Sequence, residues 1–396
     1  MLNLDLYPAG TKQEDLAPFA TTFHDAALAE LCSILFTSFS RSDQCAKGRQ
    51  YLRGLLETRG RKSIRNIAAL LGDQVSEQNL HHFISGSTWD WIPIRRALAL
   101  HVTETFPPEA WVVKSMIIPK AGQHSVGVHK QFFPALRQVV NAQQAIGVWA
   151  VSEAMSAPVN WRLLLPPDWI RDELRRNQVS IPDQTGVETV SESVSRACLE
   201  TMKGWQLPVR PVVLDTCEPH VASIFREFRA TRTPLLVRVD RDLRLTVTDP
   251  VLPAHIGKQL PASHLMSLVQ DLRRPVRRRG QEPDAAHRTQ LAATVQVCLP
   301  PSPALPAGQG ELLLLGVGGE GVPWPAGLWL TNLTNLSTVL LARLSRLVEK
   351  VDRDFTEIAD QVGIRDFAGR SFGGWHRHIT LASAAHAVVS LAGVSP

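Results

Sequence analysis

Residues 111–128, WVVKSMIIPKAGQHSVGV, decide how the chain is to be read. Trp111, Val112 and Val113 are strand formers, a Pro-Lys-Ala-Gly turn follows at 119–122, and a second short apolar run occupies 125–128. The pattern predicts strand, turn and strand. The first strand ends on Lys114. A cation therefore stands at a strand end, which is where open sheets present their functional side chains.

On the N-terminal side the texture is helical. Residues 1–22 are polar and contain proline. Ala27, Leu28, Leu31, Ile34 and Leu35 recur at helical spacing and predict a helix over 23–39, with a short helix at 51–56. In GRKSIRNIAALLGDQVSEQNLHHFISGSTWDW (60–91), Ser63 is placed to cap a helix whose apolar face is Ile64, Ile67, Ala68 and Leu71, and Gly72 to end it. Ser76 then caps a second helix that runs through Ile84 and ends near Gly86. Helix, glycine turn and helix make a helix-turn-helix pattern. Its approach carries Arg59, Arg61, Lys62 and Arg65, and its second helix presents Glu77, Gln78, Asn79, His81 and His82, residue types that suit a DNA groove. A helical hairpin packed in a bundle would show the same pattern. A helix at 94–102 and Phe106-Pro107-Pro108 close this region, and 1–108 reads as a helical N-terminal domain.

After Pro108 short apolar runs take over. Strands are expected at 111–113, 125–128, 145–151 and 159–165, the last closed by Pro166-Pro167. Val190, Val194, Ala197 and Leu199 predict a helix over 188–202. A continuous aliphatic strand at 209–214 ends at Asp215, a helix follows at 221–228 and a strand at 235–239. Strand, helix, strand is the signature of a parallel or mixed α/β sheet, placed at 109–240. From 241 to 327 the pattern is β-rich, with strands at 243–247, 294–299 and 311–315 between Pro/Gly-rich linkers. Within this insertion RRPVRRR supplies Arg273, Arg274, Arg277, Arg278 and Arg279, either a solvated loop or one that contacts phosphates. GVGGEG (316–321) has no helix after it and is trailed by Pro323 and Pro325, so it reads as a linker and not as a nucleotide loop. Residues 328–396 return to the core: a strand at 328–333, a long helix from the N-cap Ser337 to about 361, and an apolar helix over 373–393.

The 44% hydrophobic and 20% charged residues of this 396-residue chain are those of a globular protein and exclude a disordered one. A net charge of +5 permits a nucleic-acid partner without demanding one. The five cysteines (32, 45, 198, 217 and 298) are scattered and odd in number, with no CxxC or Cys/His finger spacing. Neither a disulfide frame nor a structural zinc is indicated, and reduced thiols in a cytoplasm fit best. Met1 to Gly10 lacks the basic-then-apolar run of a secretory signal, and no apolar run reaches the roughly 18 residues of a membrane span.

Asp215, in VVLDTCEPH, is well placed for a metal because open sheets bind ligands beyond their strand ends; a helix cap or a turn is its plainer reading. Glu218, His220 and His124 are the other cleft candidates, and Cys217 reads as a small buried side chain. Two-metal phosphoryl transfer needs two or three carboxylates converging on ions about 4 Å apart. HSVGVHKQF (124–132), the Asp215 strand and RDFTEIADQVGIRDFAGRSFGGWHRHITLASAAHA (353–387) together resemble the DDE-superfamily transposases of bacterial insertion sequences, over 23–392. The resemblance implies an RNase H-like mixed sheet with flanking helices, a helical DNA-binding region before it and a β-rich insertion before the last catalytic helix. It also implies an acidic triad. Carried over, the first Asp falls on Lys114, the second on Asp215, the third acid, a Glu, on Asp352, and the lysine one turn later on Ala359.

An ammonium cannot ligate Mg²⁺, and at 4 Å each unit-charge pair is worth about 4 kcal/mol at an effective dielectric near 20. No metal is therefore expected at this site, and Mg²⁺ only if other acids rebuild it. The leading expectation is a transposase-like protein that binds double-stranded DNA, as a monomer or homodimer, and has lost metal-dependent cleavage. Such a pseudoenzyme would serve as a domesticated transcription regulator. An active DDE transposase catalysing strand transfer with other acids is the alternative. A small-molecule enzyme using Lys114, His124, Asp215 and His220 is the third, since fold alone does not set function.

Overall fold

A computed structural model describes residues 21–72, 75–133, 137–215, 221–276, 290–300, 310–319 and 323–393. It opens with α1 (Thr21–Leu35), α2 (Ser42–Glu57), α3 (Ile64–Leu71), α4 (Glu77–His81) and α5 (Trp91–Thr105). The expected caps are present: Ser63 Oγ accepts from Asn66 N, Ser76 Oγ accepts from Asn79 N, and Gly72 ends α3 at φ 68°. These contacts satisfy amide groups that a helix end leaves without partners. α2 begins nine residues before the expected 51, because its first half is polar and carries no apolar stripe. Gly48 lets that half sit against Phe36, whose ring would lie 2.6 Å from an added Cβ. α4 widens into a π turn at His82–Gly86. Its free carbonyls are taken up from elsewhere: Arg377 Nη1 donates to Ile84 O and Trp89 Nε1 to Phe83 O.

The core sheet begins with β1 (Ala110–Pro119), β2 (His129–Phe133), β3 (Gln138–Val151) and β4 (Ser156–Leu163). Three helices follow, α6 (Pro167–Arg171), α7 (Glu173–Gln178) and α8 (Val190–Leu199), then β5 (Val212–Asp215), α9 (Val221–Ala230) and β6 (Leu235–Arg238). The order across the sheet is β4, β3, β1, β5, β6. β1 runs antiparallel to β3 and parallel to β5, which is parallel to β6. This is the mixed sheet with flanking helices that an RNase H-like core requires. β1 extends well past the expected 113, because the 14-residue β3 pairs it from Ala110 to Pro119, polar residues included. Residues 125–128, expected as a strand, form a turn instead. Gly127 sits there at φ 73°, with Leu164 O 3.0 Å from where a Cβ would stand, and pairing resumes only at His129.

The insertion extends the same sheet. β7 (Arg244–Val247), β8 (Gln259–Pro261), α10 (Ala262–Leu268), β9 (Arg274–Val276), β10 (Gln290–Cys298), β11 (Leu312–Gly319) and β12 (Gly327–Thr331) follow in chain order. Antiparallel pairing runs from β6 through β12, β11, β10 and β7 to β8. Residues 316–319, expected as linker, are the second half of β11. Their glycines clear room for neighbours: a Cβ on Gly316 would meet Met266 Sδ at 2.5 Å, and one on Gly318 would meet the Trp324 ring at 3.0 Å.

α11 (Thr338–Asp354), capped by Ser337, ends in a π turn at Phe355–Ala359, and α12 (Phe372–Ala392) completes the chain. α12 is buried along nearly its whole length and packs on α1, α2, α5 and β4, so one hydrophobic core joins the N-terminal helices to the sheet. Among the described residues no helix is long and apolar enough to cross a membrane.

A candidate site at the ends of the central strands

Parallel pairing sets Lys114 of β1 beside Asp215 of β5, and Arg238 is the next residue along β6 after the pair Leu214 and Val237. Three charged side chains therefore stand side by side where β5 and β6 end and β1 runs on past them: the residues preceding Lys114, Asp215 and Arg238 are all buried. α11 brings a fourth, Asp352, across the strand ends. The apolar ridge of Leu341, Leu347, Val348 and Val351 holds that helix on the sheet and turns Asp352 toward Lys114.

The four groups alternate in sign. Lys114 Nζ donates to Asp215 Oδ2 at 3.0 Å and also to Asp352 Oδ1. Arg238 Nε stands 2.7 Å from Asp215 Oδ1, and its guanidinium lies 5.0 Å over the Trp329 ring. Each oxygen of Asp215 thus has a cation of its own. The Asp215 side chain is 11% exposed, Lys114 25% and Asp352 55%, so the Asp215 contacts carry most of the electrostatic weight. Asp354, two residues after Asp352, points elsewhere: it is buried, accepts from Ser156 N and Oγ at 2.9 and 2.8 Å, and pairs with Lys350. Among the described residues no three His, Cys, Asp or Glu side chains converge as metal ligands.

Arg238 was not among the expected site residues. Its signal was present in LLVRVD, a charged residue closing an aliphatic strand next in order after the Asp215 strand. His124 is exposed on the loop after β1, with no hydrogen bond to the ion-paired group. Glu218, His220, Arg277, Arg278 and Arg279 lie outside the described residues.

The expected DNA-contacting residues divide. Arg59, Arg61 and Arg65 are exposed, and so are Gln78, Asn79 and His81 on the outer face of α4, whose inner face is Leu80, and His82 at the start of the π turn. Arg273 and Arg274 are exposed too, with the Arg273 guanidinium 5.3 Å over Trp324. Lys62 is a correction. It is 5% exposed, its ammonium turns to the Thr58 carbonyl, and its stem fills the space beside Gly363. Burial pushes its ammonium below the ordinary lysine range. A side chain so enclosed is not presented to a groove.

The WHRH stretch, read from sequence only as part of a motif, is an internal tie. Arg95 of α5 is fully buried and donates to Thr380 Oγ1 at 2.7 Å, to Asn160 Oδ1 at 3.1 Å, to Trp161 O at 2.7 Å and to His376 O at 3.2 Å. His376 Nδ1 stands 3.1 Å from Arg95 Nη2 and must accept, so the ring is neutral; burial and then the Arg95 charge hold its pKa well below the ordinary value. His378 bridges Tyr51 Oη and Gly363 O, each at 2.9 Å. These contacts fix α12 to the N-terminal helices.

A family model described as DDE superfamily endonuclease matches residues 34–296, about two thirds of the chain. A search of curated proteins finds no match.

Proposed function

The chain belongs to the DDE superfamily of endonucleases, and from that membership we propose that it binds double-stranded DNA and no longer cuts it. The observation that supports this is the Lys114 ammonium held between Asp215 and Asp352, with Arg238 on the other oxygen of Asp215. A pair of Mg²⁺ ions would have to enter where two covalently tethered cations already neutralise both acids. Each dication would stand a few ångström from Lys114, a repulsion of about 8 kcal/mol at 4 Å and an effective dielectric near 20. The residues present do not fit a two-metal centre.

DNA binding draws support from the exposed Arg61 and Arg65, from Gln78 and Asn79 on the outer face of α4 and from His82 just after it. Arginine suits phosphate, and Asn or Gln suits base edges. A protein that occupies a duplex site without cutting it acts by occupancy, so a transcription regulator is the role we assign. Family membership alone would favour an active transposase, and one experiment separates the two. Selection from random duplex in the presence of Mg²⁺ is expected to yield bound, uncut DNA. Mg²⁺-dependent nicking that disappears in Asp215→Asn would instead establish the transposase reading. Absence of binding at low salt would remove both.

A further inference from the structure

β1 continues past the candidate site. It runs from Lys114 to Pro119, and Lys120 follows at its end. At about 3.3 Å per residue the two lysines are roughly 20 Å apart along the strand. That is roughly six base pairs of duplex at about 3.4 Å each.

Three segments distant in sequence meet at Lys120. Its Nζ donates to Phe367 O at 2.6 Å, and Asn141 Nδ2 holds the turn by donating to Lys120 O at 2.7 Å and Gly122 O at 3.0 Å. The charged groups facing Lys120 are the Arg61 guanidinium, which repels it, and the Asp366 carboxylate, which attracts it. Lys62 N donates to Asp366 Oδ2 at 2.7 Å, which pins the approach to α3 onto this loop. Val126 N donates to Arg370 O at 3.1 Å, which sets the turn after β1 beside the same loop. Arg61 and Arg370 are exposed. Two cations, Arg61 and Lys120, thus face one carboxylate, one oxygen of which already accepts a backbone amide, and the exposed Arg370 follows on the same loop.

We propose that Arg61, Lys120 and Arg370 form a phosphate-binding seam that carries the DNA backbone from the α3–α4 helix pair toward the strand ends. The seam rests on the DNA-binding reading above and adds to it a path and two residues that the helix pair does not contain. Its geometry favours duplex backbone over a small anion. The cations come from a helix approach, a strand end and a loop, and two of the three are open to solvent. Half-buried Lys120 fixes the register, and the two arginines flank it.

Fluorescence anisotropy of the full chain on a random-sequence duplex, followed from low to moderate salt, tests the seam. Arg61→Ala and Arg370→Ala change exposed side chains, so folding is not at stake. Each is expected to weaken binding roughly three- to tenfold at moderate salt and to lower the log–log salt slope by about 0.9, the effect of one lost phosphate contact. Asp366→Asn keeps an acceptor for the Lys62 amide, removes the competing charge and is expected to tighten binding several-fold. Wild-type affinity and slope in both arginine variants would overturn the seam while leaving DNA binding intact. A wild type that binds no duplex would overturn both. Equal losses on heparin and on duplex would replace duplex backbone by polyanions in general.

Discussion

Lys114 joins two acids, yet its removal should cost little stability, because Asp215 keeps Arg238. Lys114→Ala is expected to lower stability by about 1 kcal/mol, the scale of a partly exposed pair. The more telling variant is Lys114→Asp, which places three carboxylates at the strand ends. Its melting temperature should rise with Mn²⁺ and fall back with chelator, whereas the wild type should ignore both; a wild type stabilised by Mn²⁺ would contradict the ion-pair reading. Arg95 lies at the other extreme. It is fully buried, and removing it strands the acceptors on Asn160, Trp161 and His376. Arg95→Met is expected to cost about 3 kcal/mol in urea unfolding, since orphaned buried polar groups lose their full solvation. The sequence showed Asp215 as a strand-end charge, but Lys114, expected at a strand end, lies within β1. Nor did the sequence show Lys62 or Arg95 as internal, because a lysine or arginine in a helical stretch looks solvated until its neighbours are known.

At the level of elements, the legible features were those set locally. Ser63, Ser76 and Ser337 cap the helices they precede, and Gly72 stops α3. What failed depended on partners: the second half of β11 was hidden by glycines that exist to admit Met266 and Trp324, and the first half of α2 by the absence of an apolar stripe. Two tests follow. Gly54→Ala would drive a methyl to 2.2 Å from Ile67 Cγ2 where α2 crosses α3, and should destabilise by about 1 to 3 kcal/mol as overpacking. The second concerns α12. Burial pushes the imidazoles of His378 and His386 down to about 4. The unfolded chain takes up these protons below about 6.5, so between roughly pH 6.5 and 4 it holds more protons than the fold. Stability is then full above about pH 6.5 and is lost as pH falls toward 4, by at most about 1.4 kcal/mol per pH unit for each histidine. Chemical denaturation at several pH values should show this slope, and His386→Leu should remove its share of it. A wild-type curve flat from neutrality to pH 4 would rule the account out.

For the whole molecule, a net charge of +5 over 396 residues is too dilute to hold a duplex unless the cations are gathered. The fold gathers them at the α3 approach, the end of β1 and the loop before α12, and that loop ties the three parts together through Asp366 and Phe367. That arrangement gives DNA affinity a pH dependence of known sign. Burial, and then Arg61, push the Lys120 ammonium down to about 8, against the attraction of Asp366. A phosphate on the seam favours the charged form, so above about pH 8 binding must take up a proton. Affinity should be level near pH 7 and fall as pH rises through 8 to 9, approaching tenfold per unit at the steepest. Ordinary carboxylates and histidines have finished titrating in that window and ordinary lysines have hardly begun. Lys120→Arg, which stays charged throughout, should flatten the decline while keeping the affinity at pH 7. Anisotropy titrations of the two proteins at fixed salt across pH 7 to 9 decide it: parallel declines would remove Lys120 from the seam.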